Sequence, residues 1–505
     1  MVYSDLSYAY KRLQDTLGAE RVSRDDTEKL VYGHDFGPLP KQAAIQFELK
    51  PDIITLPKST QEVVRILELG RELEIPVVPR GGATSFHGGC VPNVGGILLC
   101  TNLMRKVEEV DDERLCVTAQ AGATWKDVIE AVSDAGLFLP VVPMFYRSAT
   151  VGGFLSNGGV GIGAYKYGAP SQWVRSLEVV LPNGQILGTG ERSFDLGSLN
   201  YNLTSLFLGA EGTLGVIAKA TLRLLPKPGQ MANTAYSFEG MGGLAEALKQ
   251  LARTPVTPYH VGFVDGAHLL LQRTRLRQLP DVPAMAILTF DGSKEEIEAE
   301  RKAADDTLSS LGKREEDESA SILWEHIYEP YDARRISGGL VVAEGVVPLS
   351  NLEKAVQATI REARRIRAEP AFHGFLVDRG SAFLAPYILT DERTLRGQLA
   401  ISFVERYHKT LMDLDGHPFG LGLLTTYNLD AMYGSVAGHM RAIKEALDPK
   451  AIVNRGKLLG TTGKTPPFAP PEIPAGLIRR GLRTLGNLRK LMPSDRYISR
   501  LRRGK

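Results

Sequence analysis

A glycine-rich turn directly after a strand constrains this chain more than any other feature. Residues Ile75–Val78 form an apolar, strand-like run, and the segment that follows, Pro79–Gly89 (PRGGATSFHGG), contains four glycines and two hydroxyl residues. Because glycine has no Cβ, the backbone N–H groups of such a turn can converge on an anion. The segment is therefore predicted to bind a phosphate, mainly through Gly81–Ser85.

The two commonest phosphate-binding motifs do not account for this loop. No G-x-G-x-x-G opens a helix here, and no complete G-x-x-x-x-G-K-[ST] occurs. The nearest approach to the second motif is Gly463-Lys464-Thr465, but Leu458 stands at the position of its first glycine and Pro466 discourages the helix that should follow. A different kind of cofactor loop is therefore expected.

Composition excludes several classes of protein. A chain of 505 residues is too long for one core, so two or three domains are expected. The net charge of +2 indicates no nucleic-acid partner, and three cysteines without a C-x-x-C favour neither a disulfide framework nor a zinc site. The sequence begins without a signal-peptide pattern and no apolar run reaches ~18 residues, so a cytoplasmic protein without a membrane span is predicted.

Local signals predict several elements of secondary structure. Ser59–Glu62 (STQE) fits a capping box, and Thr124 is expected to open a helix. Pro182–Gly184 (PNG) is a hairpin turn signal, and residues 339–347 form a strand-like run.

Two further glycine-rich segments follow the first loop. One is Thr150–Gly159 (TVGGFLSNGG), closed by Lys166–Gly168, and the other is Leu208–Ile217 (LGAEGTLGVI). The chain alternates strands and helices up to a proline-rich border near residues 226–228, and long charged helices appear beyond it. A turn-rich segment, Leu447–Lys457 (LDPKAIVNRGK), comes near the end.

In this order, the segments resemble the FAD-binding domain of the vanillyl-alcohol oxidase and p-cresol methylhydroxylase (PCMH) superfamily. Within it, the chain is most similar to the FAD-linked oxidases of 2-hydroxy acids, the glycolate and D-lactate dehydrogenases. The resemblance implies an α+β fold, with a PCMH-type FAD-binding domain of two subdomains and an α/β cap domain whose antiparallel sheet covers the isoalloxazine. We place the FAD-binding domain at 1–229, the cap at 230–415, a returning segment at 416–465, and a proline-rich linker with a basic tail at 466–505.

The same resemblance implies the residues that bind FAD, by backbone approach to the pyrophosphate, the ribityl chain and the ring. Non-covalent FAD is favoured, and covalent attachment through His87 is the less favoured alternative, since Phe86 precedes it where relatives usually carry a small residue. The implied cofactor residues are Pro79, Arg80, Gly81, Gly82, Ala83, Thr84, Ser85, Gly88, Gly89, Thr150, Gly152, Gly153, Asn157, Gly158, Gly159, Tyr167, Gly168, Glu211, Gly212, Thr213, Gly215, Ile217, Asn454 and Lys457.

The activity implied is dehydrogenation of a 2-hydroxy acid or a related alcohol, by hydride transfer to flavin N5. Such an enzyme needs a base for the hydroxyl proton and a cation for the carboxylate, and arginine suits the second role. The candidates are Arg334, Arg335, His326, Tyr328, His373 and Tyr427. Two alternatives stay open: a non-redox flavin enzyme similar to alkyl-dihydroxyacetonephosphate synthase, and a flavin-bearing subunit of an electron-transfer complex.

The chain departs from metal-dependent hydroxy-acid relatives at two places. Those relatives carry a Gly-His…Asn-Leu-His pattern and a later Glu-His-Gly, whereas this chain has residues 372–383 (FHGFLVDRGSAF) and His417–Gly422 (HPFGLG). The paired histidines and the Glu-His are missing, so no catalytic metal is expected. Pro418 and Phe419 in place of Glu-His predict a more apolar pocket.

A basic amphipathic segment ends the chain. Residues 479–505 contain ten Lys or Arg and one acid, and apolar residues recur at helical spacing from Leu477. Residues 477–505 fit three alternatives: binding to an anionic membrane surface at the inner face of the membrane, docking of an electron-accepting partner, or packing on their own domain. Relatives pass electrons to a quinone, an iron–sulfur subunit or an electron-transfer flavoprotein, and this chain has no cysteine cluster for an iron–sulfur centre of its own.

Overall fold

The structure is a computed structural model that describes residues 5–37, 49–190, 201–326, 331, 333–391, 393–460, 484, 487 and 497–503. The chain divides into two compact units. The first unit combines residues 1–159, 170–227 and 420–475, and the second combines residues 160–169, 228–419 and 476–505.

A small, mostly parallel sheet carries the first glycine loop of the first unit. Its strand order is β1-β2-β4-β3, with β2, β3 and β4 parallel and β1 antiparallel at the edge. The strands are β1 (Val22–Ser23), β2 (Ile53–Thr55), β3 (Val77–Arg80) and β4 (Ile97–Cys100). Because β3 lies at the other edge of the sheet and ends at Arg80, the loop emerges from the carboxyl end of a parallel strand.

A second sheet of the first unit is antiparallel, with the order β5-β6-β10-β8-β9. The turn predicted at Pro182–Gly184 connects β8 to β9, so that hairpin is confirmed. The strands are β5 (Val107–Asp111), β6 (Cys116–Gln120), β8 (Val174–Val180), β9 (Ile186–Gly188) and β10 (Val216–Arg223), and a short pair joins β7 (Leu137–Phe138) to β11 (Leu225–Pro226).

Polar side chains start the helices of the first unit. Thr124 and Asp127 form a complete capping box before α4. The box predicted at Ser59 forms only in part: Ser59 Oγ accepts from Glu62 N, but the Glu62 carboxylate accepts from Lys58 N instead. The helices are α1 (Leu6–Leu17), α2 (Asp26–Tyr32), α3 (Thr60–Glu72), α4 (Trp125–Asp134), α5 (Val151–Asn157), α7 (Leu203–Phe207), α16 (Leu429–Tyr433) and α17 (Val436–Leu447).

The second unit is built on one antiparallel sheet. Within the described residues, its strand order is β15-β12-β14-β13-β18-β19-β17-β20, and β16 also pairs with β19. The strands are β12 (Gln230–Phe238), β13 (His260–Asp265), β14 (Ala284–Gly292), β15 (Lys313–Arg314), β16 (Leu340–Val342), β17 (Gly345–Pro348), β18 (Pro370–Leu376), β19 (Ser381–Leu389) and β20 (His417–Pro418).

Strand alternation divides this sheet into two faces. One face packs in a single large core with the longer helices, through side chains such as Phe263 of β13, Phe372 of β18 and Leu384 of β19. The helices of the unit are α6 (Ala164–Tyr167), α8 (Met241–Leu251), α9 (Gly266–Gln272), α10 (Lys294–Leu308), α11 (Asp317–Glu325), α12 (Arg334–Ser337), α13 (Leu352–Arg365), α14 (Leu395–Leu399), α15 (Ser402–Met412) and α18 (Tyr497–Arg502).

These elements confirm the predicted α+β class and the antiparallel sheet in the region after residue 230. In the described part of the chain, every helix is too short or too polar to span a bilayer.

Candidate cofactor-binding site

The first glycine loop packs against the backbone that precedes α5. A Cβ built on Gly81 would lie 2.2 Å from Thr150 Oγ1, and one built on Gly82 would lie 2.0 Å from the carbonyl oxygen of Ser148. Real Cβ atoms do not approach so closely, so only glycine allows the loop to reach this position. Glycine is therefore required at positions 81 and 82 because the backbone of the loop lies directly against residues 148–150.

Thr150 connects the first two loops. Its hydroxyl caps α5 by accepting from Gly153 N, and it also accepts from Gly82 N, both at 3.3 Å. Beyond this bond, the loop turns through Ala83, whose φ of 53° is left-handed. Within the described residues, the backbone N–H groups of Ala83, Thr84 and Ser85 have no hydrogen-bond acceptor. Consecutive amides around a left-handed residue form a concave donor set that suits a phosphate.

The second and third loops are joined backbone to backbone. A Cβ on Gly158, which has a left-handed φ of 68°, would lie 2.6 Å from Cα of Gly209. Gly209 N donates to Leu155 O at 3.1 Å, and Glu211 N donates to Ser156 O at 2.7 Å. The glycines at 158 and 209 therefore let the end of α5 and the Leu208–Ile217 segment come into direct contact.

Glu211 holds the returning segment of the chain. Its carboxylate is buried and accepts from Leu421 N at 2.8 Å and from Gly422 N at 2.7 Å. Burial raises the pKa of this carboxyl group, and the two amide donors and the nearby His87 oppose that effect. The Glu211 side chain is thus engaged within the protein, and the place of residues 211–217 beside the cofactor stays a prediction.

Asn454 presents a buried acceptor at the same place. Its backbone N donates to Val77 O at 2.9 Å, and its Nδ2 donates to Gly89 O at 3.0 Å and Glu211 O at 2.6 Å. Its Oδ1 is buried and finds no partner among the described residues. Buried acceptors are normally satisfied, so this oxygen is suited to receive a donor from a bound group.

Lys457 and Asn93 form a buried polar pair beside these loops. Lys457 is 1% exposed, and its Nζ donates to Asn93 Oδ1 at 2.7 Å. Burial lowers the pKa of the Lys457 ammonium to about 7, against the smaller opposing effects of Cys90, Glu211 and Asp35. A cation of this kind can change its protonation state near neutral pH.

Asp35 fixes the far end of the first loop. Its carboxylate accepts from Gly88 N at 2.7 Å and from Gly37 N at 3.0 Å. Burial raises the pKa of Asp35 to about 6. The carbonyl oxygen of His87 accepts from Leu423 N at 2.8 Å, so the loop is held by residues on both sides of it in sequence.

The other predicted cofactor residues of the first unit surround these contacts. Pro79 and Arg80 end β3, and the Arg80 guanidinium donates to the carbonyl oxygens of Tyr32 and His34. Gly152 packs on Ala121, where a Cβ would lie 2.6 Å from its side chain. Asn157 ends α5, Gly159 packs on Phe154, and Gly212, Thr213, Gly215 and Ile217 continue the third segment into β10.

Tyr167 and Gly168 belong to the second unit. Tyr167 Oη donates to Asp291 Oδ2 and Lys166 Nζ donates to Asp291 Oδ1, both at 2.6 Å. Asp291 is buried, so these two bonds attach the glycine-rich segment 160–169 to β14.

The predicted catalytic residues are divided between the two units. Tyr427 is half-buried in a short 3₁₀ turn, Thr426–Asn428, of the first unit, whereas the described others belong to the second unit. There, Arg334 is half-buried and Arg335 is exposed on α12, and His326 caps the carboxyl end of α11. Tyr328 lies outside the described residues.

His373 is part of a buried hydrogen-bonded network. Its Nε2 lies 3.0 Å from Tyr331 Oη, and a parallel contact of 3.0 Å joins Tyr387 Oη to His268 Nδ1. Burial and the neighbouring His268 hold the pKa of His373 well below its ordinary value, so the ring is neutral. Among the described residues, no three His, Cys, Asp or Glu side chains are grouped to hold a metal ion.

Sequence reasoning missed Asp35, Asn93, His268 and Tyr387. Asp35 and Asn93 lie outside the glycine motifs, and their hydrogen-bond partners are distant in the chain. Asp35 and Gly88, for example, are 53 residues apart. A local signal for Tyr387 is its position in β19, on the face opposite to Leu384 and Ile388 of the apolar core.

Comparison with known proteins agrees with this geometry. The family model "FAD binding domain" matches residues 51–190, and the model "FAD linked oxidases, C-terminal domain" matches residues 227–458. Glycolate oxidase subunit GlcD of Bacillus subtilis is 30% identical over 465 residues, covering 89% of this chain and 96% of the relative. The chain belongs to the FAD-linked oxidases. The D-lactate dehydrogenase of Archaeoglobus fulgidus is 29% identical, with 81% of this chain and 91% of the relative covered.

Solved structures match the fold of this FAD-linked oxidase at lower identity. The 4-ethylphenol oxidase of Gulosibacter chungangensis has a TM-score of 0.79 at 18% identity, covering 92% of this chain and 98% of that one. p-Cresol methylhydroxylase has a TM-score of 0.78 at 16% identity, covering 91% and 98%. Alkyldihydroxyacetonephosphate synthase has a TM-score of 0.69 at 19% identity, covering 89% and 84%. The predicted PCMH-type fold is confirmed.

FAD is therefore the cofactor of this oxidoreductase, and the residues present fit it. The amides of Ala83–Ser85 offer donors for an anion, the glycines at 81 and 82 could not carry a side chain, and Asn454 Oδ1 is a buried acceptor without a partner in the described chain.

Proposed function

We propose that this flavoprotein oxidises the alcohol group of a 2-hydroxy acid, similar to D-lactate or glycolate, or of a related alcohol. The observation that carries this proposal is the 30% identity to a glycolate oxidase subunit over 96% of that relative's length. The D-lactate dehydrogenase relative is matched over nearly its whole length as well. The homology therefore covers both the FAD-binding and the C-terminal regions of these enzymes.

FAD supplies the hydride acceptor, at flavin N5. As the hydroxy acid becomes a 2-oxo acid, its carbon gives up a hydride and its hydroxyl gives up a proton, so the protein must provide a proton acceptor and a cation for the carboxylate. His373 is a base candidate because Tyr331 fixes the orientation of its ring, while burial lowers the pKa of the ring and so weakens it as a proton acceptor in the free protein. Arg334 and Arg335 are the candidate carboxylate partners on α12.

Non-covalent binding of FAD is the form we favour. The ring of His87 is buried against its own chain, where a Cβ on Gly420 would lie 2.8 Å from His87 Cδ2. This packing supports a structural role for His87 in the first loop, next to the carbonyl contact with Leu423.

We further propose that the electrons pass to a quinone or to a partner protein, such as an iron–sulfur protein or an electron-transfer flavoprotein, in the cytoplasm or at the inner face of the membrane. Most of the basic tail, 477–505, lies outside the described residues. Its described end, α18, buries Ile498, and Ser499 N donates to Glu369 Oε2 at 3.0 Å within the second unit. These contacts support packing of the end of the tail on its own unit.

The first experiment is a visible spectrum of the purified protein before and after acid precipitation. Flavin that moves to the supernatant supports non-covalent FAD, and flavin that stays in the pellet would return attention to His87. Anaerobic addition of glycolate, D-lactate and larger 2-hydroxy acids should then bleach the flavin band. Full retention of that band with every hydroxy acid would refute the proposed reaction and favour the non-redox or scaffold alternatives.

A further inference from the structure

The second face of the sheet in the second unit carries a row of aromatic rings. Strand alternation places His260, Phe375 and Phe383 on the face opposite to Val261, Phe372 and Leu384, which belong to the helix-packed core. Phe375 and Phe383 are directly paired across β18 and β19. This face is therefore built from side chains that the main apolar core does not use.

The rings contact one another in sequence along the face. The centroids of Phe375 and Phe383 are 4.8 Å apart in a stacked arrangement, and Phe419 meets Phe383 edge-on at 5.4 Å. At the other end, His260 lies 5.2 Å from Phe375 and 5.9 Å from Trp324. We call these five residues the aromatic row; its two ends, Trp324 and Phe419, are half-buried while its centre is buried.

His260 differs from His268 and His373 in its hydrogen bonding. His268 and His373 each have a tyrosine hydroxyl at 3.0 Å, whereas neither ring nitrogen of His260 has a partner in the described structure, although the residue is only 1% exposed. A neutral imidazole offers one donor and one acceptor, and leaving both unsatisfied inside a protein is unfavourable. A bound group that both donates and accepts would satisfy it.

We infer that the aromatic row is the subsite for the substrate's side chain, and that this side chain is an aromatic ring with a neutral polar substituent, such as a phenol, which hydrogen-bonds His260. This inference rests on the proposed function, and it names the class of hydroxy acid: aryl 2-hydroxy acids such as 3-(4-hydroxyphenyl)lactate, in preference to lactate or glycolate.

The aromatic row favours an aryl hydroxy acid over one with an aliphatic side chain and over one with a second carboxylate. An aliphatic side chain would gain apolar contact but leave His260 without a partner. A second carboxylate would need a cation, yet burial lowers the pKa of His260 to about 3, which keeps the ring neutral. A phenolic hydroxyl is neutral, donates and accepts, and stands on a ring that can pack edge-on or stacked against phenylalanine.

The test uses the FAD-loaded full-length protein and four substrates: 3-(4-hydroxyphenyl)lactate, 3-phenyllactate, D-lactate and glycolate. Apolar pockets discriminate by about tenfold or more for even one methylene group, so kcat/KM for flavin reduction should fall at least about tenfold from either aryl acid to lactate. The phenol should add a further preference over the unsubstituted ring.

Variants assign the two parts of this preference to their residues. Phe375→Leu should reduce the preference for phenyllactate over lactate, whereas Phe372→Leu, on the opposite face of the same strand, should leave the ratio unchanged. His260→Leu should abolish the preference for the phenol over the unsubstituted ring and keep that for phenyllactate over lactate. A readout without turnover is calorimetric binding of 3-(4-hydroxyphenyl)propanoate, which lacks the alcohol.

The outcomes separate this inference from the proposed function. Reduction of the flavin by lactate or glycolate, with no reaction or binding of the aryl acids, would overturn the inference and leave hydroxy-acid oxidation intact. Binding of the propanoate with no reduction by any hydroxy acid would support the subsite and overturn the proposed reaction. Equal effects of Phe375→Leu and Phe372→Leu on the substrate ratio would overturn the role of the aromatic row.

Discussion

Replacing Gly82 by alanine tests the first glycine loop directly. The new Cβ would lie 2.0 Å from the carbonyl oxygen of Ser148, and an ordinary contact begins at 3.4 Å, so the loop and the backbone before α5 would have to separate by about 1.4 Å. That movement would also break the bond from Gly82 N to Thr150 Oγ1 and displace the amides of Ala83–Ser85. Overpacking of this kind costs about 1–3 kcal/mol. We therefore expect FAD to bind about 5–150-fold more weakly.

The assay is titration of the apoprotein with FAD, followed by quenching of flavin fluorescence, with thermal unfolding of the same samples. Gly188→Ala is the matched control, because Gly188 is exposed at the end of β9 and its Cβ would meet nothing within 4 Å. A dissociation constant for Gly82→Ala within about twofold of wild type would refute the idea that this backbone contact positions the cofactor donors.

Three further substitutions test the hydrogen bonds around the loops. Thr150→Val removes the acceptor shared by Gly82 N and Gly153 N and should lower the free energy of unfolding in urea by about 1–2 kcal/mol, whereas Thr150→Ser should retain it. Glu211→Gln turns one of two accepting oxygens into a donor facing a backbone amide, so a loss of about 1–3 kcal/mol is expected, and an unchanged urea midpoint would contradict it. Burial raises the folded-state pKa of Asp35 from 3.8 to about 6. The protonated carboxyl group therefore makes its full contribution to the free energy of unfolding below about pH 4, and this contribution is lost as the pH rises to 6. Asp35→Asn should remove about 3 kcal/mol of that pH dependence between pH 4 and 7, and a constant difference from wild type would refute the assignment.

Local features of the sequence predicted much of the fold. Glycine spacing located the three loops, side-chain caps located the starts of α3 and α4, and the Pro182–Gly184 turn located a hairpin. The sequence predicts one strand over residues 339–347, but the structure has two, β16 and β17, because Leu340 pairs with Leu389 while Gly345 pairs with Leu384. The break between β16 and β17 depends on their pairing with the distant strand β19. Hydrophobic periodicity carries no information about that pairing.

The candidate site was predictable where it depends on backbone and not where it depends on distant side chains. Gly81 and Gly82 stand out in any reading of the sequence, since glycine is required there for close approach. The carboxylate of Glu211 instead binds amides 210 and 211 residues away, and Tyr331 meets His373 across 42 residues. Neither pairing has a local signature in the sequence. The sequence therefore predicted Glu211 and His373 as site residues but not the groups that they contact.

The polar groups of the site separate into those used by the protein and those left for a ligand. Arg80, Asp35 and Glu211 carry full or partial charge, yet each is engaged with backbone groups of its own chain. Groups without partners in the described residues include the backbone amides of residues 83–85 and Oδ1 of Asn454.

Three residues of the site have a strained backbone. Ala83, Glu211 and Asn454 all have left-handed φ angles, of 53°, 50° and 46°, and such conformations cost non-glycine residues of order 1–3 kcal/mol each. Asn454 Nδ2 donates to Glu211 O, and the backbone amides of Leu421 and Gly422 donate to the Glu211 carboxylate, so these bonds hold Glu211 and Asn454 in place. FAD affinity should therefore depend on the returning segment as well as on the first glycine loop, because that segment holds the strained Glu211 and Asn454 and, through the bond from Leu423 N to His87 O, the end of the loop itself.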